Sequence, residues 1–180
     1  MSGALAAWTV PAQVRTLTGD DHAAFAALGA RSTLSSLQSD DTRRSLLSRG
    51  LVFGAFVEGT LVGCSAMMFD TPRSYCLRDE TVAILPVPNA YLCSTFVLPS
   101  ARGCGVGTAL YKRRLEVLRE IERPIVGVEI LGTGTPFAVD EHARPGLRFH
   151  LAAGFSIGGY SAEPDRGPML IRKVGVLCRR

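Results

Sequence analysis

The stretch Val97-Leu98-Pro99-Ser100-Ala101-Arg102-Gly103-Cys104-Gly105-Val106-Gly107-Thr108-Ala109-Leu110 is where residue types and spacing point most clearly to chemistry. Ala90 to Leu98 is rich in aromatic and β-branched residues and reads as a strand that Pro99 ends. From about Val106 to Ile121 a helical pattern follows, with Leu110, Leu115, Val117, Leu118 and Ile121 on its apolar side. The first turn of a helix leaves N–H groups without internal partners and carries the positive end of the helix dipole. Together these make an anion site. Glycines at 103, 105 and 107 let the backbone approach phosphate oxygens with no Cβ in the way. Arg102 adds a fixed positive charge. The chemistry read from these residues is the holding of a phosphorylated ligand.

Three kinds of glycine-rich loop do this. A P-loop needs Gly-Lys-Ser/Thr at its end, and Gly107-Thr108-Ala109 has no lysine. A dinucleotide fingerprint needs a third glycine where Thr108 stands, and its turn follows the strand directly, whereas Pro99 to Arg102 intervene here. Glu129 could mimic its ribose-binding acid, so a dinucleotide-binding oxidoreductase stays open as an alternative. The third kind fits at every position: the stretch resembles the acetyl-CoA motif of the GNAT N-acetyltransferases, V-x-P-x-x-R-G-x-G-x-G/A-x-x-L. Element order agrees from about Val14 to Val174, while the specific motifs cover only Thr95 to Leu110 and Phe149 to Phe155.

The resemblance implies an acyltransferase with acetyl-CoA as donor and a primary amine, on a small molecule or on a protein or peptide, as acceptor. It implies that Arg102, Gly103, Cys104, Gly105, Val106, Gly107 and Thr108 hold the pyrophosphate. It also implies that the strands before and after the turn splay, and that Phe96 and Val97 offer backbone groups to a pantetheine arm lying in the gap. The family's later Y-x-x-x-G-F pattern is matched by His150-Leu151-Ala152-Ala153-Gly154-Phe155, with histidine for tyrosine and Ala143 for an asparagine seven residues earlier. An imidazole can protonate a departing thiolate. His150 is therefore the candidate acid and Glu129 a candidate base, with Asp79, Glu80, Glu141 and His142 as other bases. A plain reading stands beside each: a histidine that packs a helix, and solvated carboxylates. A CoA-holding module without catalysis is the rival that the missing tyrosine favours. Cys104 lies inside the phosphate turn, and with Cys93 it shows no Cys-His-Asp order, so a covalent acetyl-enzyme is not favoured.

The elements that would position these groups read as a mixed α/β domain, of mostly antiparallel sheet with helices on both faces, in the order β-α-α-β-β-β-α-β-α-β-β. A strand at Val14 to Leu17 precedes a helix from His22 to Leu28, with Asp20 or Asp21 as N-cap and Gly29 as its stop. One helix is expected from Thr33 to Ser48, capped by Gly50. Leu51–Val57 and Leu61–Phe69 flank Glu58-Gly59-Thr60 as a hairpin. Asp70 to Asn89 is irregular, with a short strand at Thr81 to Leu85, and the loop Gly132 to Arg144 joins it as a shaper of the acceptor pocket. Ile125 to Leu131 is a buried strand. Pro145 opens a helix that ends near Ala153, and Phe155 to Ser161 and Met169 to Val174 are strands.

Composition sets the bounds. At 180 residues, 47% hydrophobic and 20% charged, the chain has enough apolar mass for one core. One domain is expected over 11–175, with a loose N-terminal tail at 1–10 and a basic C-terminal tail at 176–180. No run is long and apolar enough for a membrane span, and Met1 to Ala7 lacks the basic stretch of a secretory leader. Five scattered cysteines without metal-binding spacing fit a reducing cytoplasm. The net charge of +4 suits a polyanionic cofactor. Its clusters, Lys112-Arg113-Arg114 and Arg179-Arg180, read as a solvated helix face and a tail rather than a nucleic-acid patch. A homodimer is compatible with all of this.

Overall fold

A computed structural model describes residues 11–77, 79, 81–121, 125–131, 150–151, 154–161 and 166–173. In chain order the elements are β1 (Gln13–Thr16), α1 (His22–Ala30), α2 (Ser35–Gln38), α3 (Asp40–Arg49), β2 (Gly50–Val57), β3 (Thr60–Phe69), β4 (Ser74–Cys76), β5 (Val82–Ile84), β6 (Asn89–Val97), α4 (Val106–Glu120), β7 (Ile125–Leu131), β8 (Ser156–Ser161) and β9 (Arg166–Lys173). The chain divides into two compact units, Met1–Met68 with Cys93–Ile121, and Phe69–Leu92 with Glu122–Arg180. Among the described residues no helix is long and apolar enough to cross a membrane.

In the first unit the strand order is β1-β2-β3-β6. The expected hairpin is β2 and β3. Glu58 and Gly59 at its tip have φ of 49° and 76°, the primed geometry that matches strand twist. Phe25, Leu37, Phe53, Met67 and Leu110 are fully enclosed in the core. Ser94 of β6 hydrogen bonds Ser36 of α2 through their hydroxyls at 3.0 Å. Val97, on the opposite face of β6, shares with Val106 of α4 the space a Cβ on Gly63 would enter. Helices therefore cover both faces of the sheet, as expected.

Two local expectations are corrected here. The single helix over 33–48 is two, because Ser39 leaves the helical region and caps α3 by accepting the Thr42 N–H at 3.3 Å. Arg43 then donates to the Leu37 and Gln38 carbonyls at 2.6 and 2.7 Å, satisfying the end of α2. Gly29 does not stop α1 but lies inside it, since a Cβ there would collide with the Leu37 carbonyl. Asp21 is the N-cap residue of α1, yet its carboxylate binds Arg15 at 2.6 and 2.7 Å and the Thr18 N–H at 2.9 Å. The Arg15 guanidinium and the Thr18 amide hold that carboxyl down at about 2.

In the second unit the order is β6-β7-β9-β8-β4-β5. β6 and β7 are parallel over four pairs, Asn89↔Ile125 to Leu92↔Val128, and the β7–β9, β9–β8, β8–β4 and β4–β5 ladders are antiparallel. β6 runs on for five residues past that ladder, to Val97. The region 70–89 is more regular than expected: β5 falls within the anticipated strand, and the sequence reading missed its partner β4. Glu80, Glu141, His142, Ala143, the loop 132–144, most of the helix expected from Pro145, and both tails lie outside the described residues.

Candidate functional site

The glycine-rich turn grows directly from the end of β6. Leu98 donates its N–H to the Val62 carbonyl at 2.9 Å, fixing the strand end to β3. A single 3-10 turn follows over Pro99–Ala101, with Ala101 fully buried, and Arg102 donates its N–H to the Pro99 carbonyl at 3.3 Å. Gly103 and Gly105 take φ of 78° and 79°, which only glycine adopts without strain. Val106 is buried and anchors the start of α4.

Gly105 is the N-cap of α4 and has no side chain to cap it. The first helical bond is Ala109 N–H to the Gly105 carbonyl at 2.9 Å. The N–H groups of Val106, Gly107 and Thr108 are thus unpaired among the described residues. A Cβ built on Gly103, Gly105 or Gly107 would meet no atom within 4 Å. For Gly103 and Gly105 the backbone explains the glycine. For Gly107 nothing among the described residues does: its φ is ordinary and the space beside it is empty. A glycine inside a helix costs roughly 0.5–1 kcal/mol against alanine. The room it leaves, beside three open donors at the positive end of a 15-residue helix, suits phosphate oxygens.

Arg102 is exposed and donates its Nε–H to the Val97 carbonyl at 3.1 Å, which holds the guanidinium at the rim of the turn. That carbonyl is consequently engaged within the chain. Phe96 is buried and Val97 half-buried. Cys104 is exposed, with its thiol toward the Arg102 carbonyl at 3.6 Å.

The basic run in α4 needs correction. Lys112 is exposed, and Arg113 bonds Glu116 at 3.0 Å, as expected of a solvated face. Arg114 instead is 2% exposed. It falls four residues after Leu110 and eight after Val106, on the buried stripe, and that spacing was the signal available in the sequence.

The second unit holds the catalytic candidates. Gly154 takes φ of 85°; its N–H reaches the Leu151 carbonyl at 2.9 Å, and Phe155 N–H reaches the His150 carbonyl at 3.1 Å. This is the paired 5→2 and 6→1 bonding of a Schellman helix end. His150 and Phe155 are the residues whose side chains meet across such an end. Their rings do so edge-on, 5.2 Å apart at 87°, with His150 8% exposed. Glu129 lies on β7, one position beyond the last pair with β6 and opposite Met169 of β9. Asp79 is committed to its own turn, accepting the Thr81 N–H at 3.1 Å, which lowers its carboxyl.

Comparison with known proteins agrees with this geometry. The family model described as "Acetyltransferase (GNAT) family" matches residues 21–155. A search of curated proteins by sequence finds no match. Among solved structures, Ard1 from Thermoplasma volcanium is 18% identical, with a TM-score of 0.65 over 92% of this chain and 99% of that one. The ribosomal-protein-S18-alanine N-acetyltransferase from Escherichia coli is 17% identical, at 0.61 over 89% and 90%. The PaiA N-acetyltransferase from Thermoplasma acidophilum, in complex with coenzyme A, is 13% identical, at 0.60 over 92% and 100%.

Proposed function

The chain belongs to the GNAT acetyltransferase family, acyltransferases that use acetyl-CoA, and from that premise we propose that it acetylates a primary amine by direct attack. The observation that carries the reading is Gly107, a glycine that neither backbone conformation nor packing requires, beside three unpaired helix N–H groups. In this reading the amides of Gly103 to Thr108 hold the CoA pyrophosphate and Arg102 adds charge at the rim. Val97 turns its main-chain N–H toward pantetheine; the Phe96 main chain faces β3 instead, with its N–H on the Cys64 sulfur and its carbonyl beside Gly63, so Phe96 lines the arm without bonding it. An N–H of β6 polarises the thioester carbonyl, as oxyanion-hole donors do.

Acetyl-CoA supplies an electrophilic carbonyl with a thiol leaving group. The amine loses its proton and attacks that carbonyl, and CoA departs as thiol. Glu129 is the proposed base and His150 the proposed donor of a proton to the thiolate. Such help contributes about 10²–10⁴ in rate. Support for His150 is its position in the H-x-x-x-G-F match. The acceptor is the amine of a small molecule or of a protein or peptide; the fold-mate from Escherichia coli named above acts on a ribosomal protein. The scattered cysteines fit work in a reducing cytoplasm.

One observation favours a second reading, a CoA-binding module with weak catalysis: His150 is tied into its helix end by packing on Phe155. Incubation with acetyl-CoA and an amine panel, reading thiol release together with acetylated product, separates the two. Stoichiometric thiol and N-acetyl product are expected. Tight CoA binding without product on any amine would favour the module. Absence of CoA binding would overturn both.

A further inference from the structure

A second feature of the first unit is independent of the cofactor turn: the buried cation of Arg114. A buried charge is costly unless paired. Arg114 has no ion pair among the described residues, and its Nε has no hydrogen-bond partner. The guanidinium carbon lies 5.4 Å from the centroid of the Tyr111 ring. Burial lowers the guanidinium to about 10, so it keeps its charge at neutral pH.

Its surroundings follow from the crossover. β6 and β7 are parallel, so α4, the helix described between them, runs back antiparallel to β6 while packing over β2 as well. At the top of this pair Val106 and Val97 meet beside Gly63. Eight residues down the helix is a descent of about 12 Å and ends at Arg114. Four residues down the strand is a descent of about 13 Å on the same face and ends at Cys93. The ionisable groups that act on Arg114 agree with this placement: they are Tyr111, Cys93 and Cys64. Cys64 is fully buried, and burial pushes its thiol up to about 12, so it stays a thiol. Cys93 is half-buried and in no disulfide.

We propose that Cys93 is a nucleophilic thiol, poised by the buried Arg114 guanidinium, and a site of modification by soft electrophiles, the disulfides of small thiols in particular. Reactive cysteines occupy partly exposed positions beside a cation. The Cys93 thiol releases its proton to solvent. Its sulfur attacks one sulfur of the disulfide, the new S–S bond forms as the old one breaks, and the second sulfur leaves as thiolate. Cys93 is oxidised and the small disulfide reduced.

The test uses the full chain with Cys104→Ser, which removes the thiol exposed among the described residues, and the aromatic disulfide dithionitrobenzoate, with labelled cysteines located by peptide mass. Cys93 is expected to react faster than Cys76, which is also half-buried. Arg114→Met should slow it about tenfold at pH 7, one pKa unit of lost thiolate. Arg114→Lys, which keeps the charge, should slow it less. Glutathione disulfide should then give a mixed disulfide at Cys93 that a reductant removes. A Cys93 no faster than Cys76 would overturn the proposal without recourse to any Arg114 variant. Equal rates in wild type and a folded Arg114→Met, or equal losses in the Met and Lys variants, would overturn the role of the charge.

Discussion

Two glycine-marked helix ends make an instructive contrast. At 154–155 the chain satisfies itself: Gly154 turns back, two backbone bonds close the helix, and Phe155 packs on His150. At 103–108 glycines again set the backbone, but among the described residues nothing closes: three N–H groups stay unpaired and the space beside Gly107 is empty. Both places match a family motif in the sequence. Only the first is complete without a ligand. An unsatisfied helix start is a functional signal because the unpaired donors and the uncapped dipole are costs that a bound anion removes.

The contrast can be broken by mutation, and the largest effect is expected at the open end. Gly107→Glu would fill the empty space with a carboxylate where phosphates are to bind. Acetyl-CoA affinity should fall below detection by calorimetry, while circular dichroism still shows the native helix content. At the closed end, His150→Ala should lower kcat well beyond tenfold if the imidazole donates the proton, with little change in acetyl-CoA affinity. His150→Tyr should recover part of that loss. An alanine variant with wild-type kcat and a lower melting temperature would make His150 a packing residue alone.

Arg102→Ala should weaken CoA by roughly 1.5–3 kcal/mol, the range for hydrogen bonds to charged groups, and weaken dephosphorylated pantetheine much less. Equal losses would instead reflect its bond to the Val97 carbonyl. Smaller still is the effect expected for Gly154→Ala. Forcing a Cβ into φ of 85° should lower stability by about 1 kcal/mol, measured by denaturant unfolding, and leave acetyl-CoA affinity unchanged.

How far the sequence could be read follows from how local each determinant is. The turn at 102–108, the hairpin tip at Glu58-Gly59 and the strand Ile125–Leu131 depend on adjacent residues, and all three were legible. Ser39 was not: its capping role becomes visible only with Arg43 bonded to the carbonyls before it. Gly29 looks like a stop in sequence, yet its cause is a carbonyl eight residues away. β4 is three residues long, too short to show a period, and exists because β5 and β8 flank it. Arg114 was hidden by its neighbours, since a basic triplet reads as solvated until the helix is phased on Val106 and Leu110. The H-x-x-x-G-F match was legible as a pattern, but its spacing is also what a Schellman end requires, so the pattern alone could not separate catalysis from capping.

The most direct measurement is paired calorimetry and thermal unfolding of wild type and Gly107→Leu. A Cβ there meets no protein atom within 4 Å, leucine is a better helix former than glycine, and its side chain exceeds the glycine or alanine that the acetyl-CoA motif takes at this position. The variant should therefore be more stable, by roughly 0.5–1 kcal/mol, and yet bind acetyl-CoA more weakly than wild type. Stability up and affinity down at one position would mean that the glycine is kept for a ligand. A variant that gains stability and binds acetyl-CoA as tightly as wild type would contradict the account.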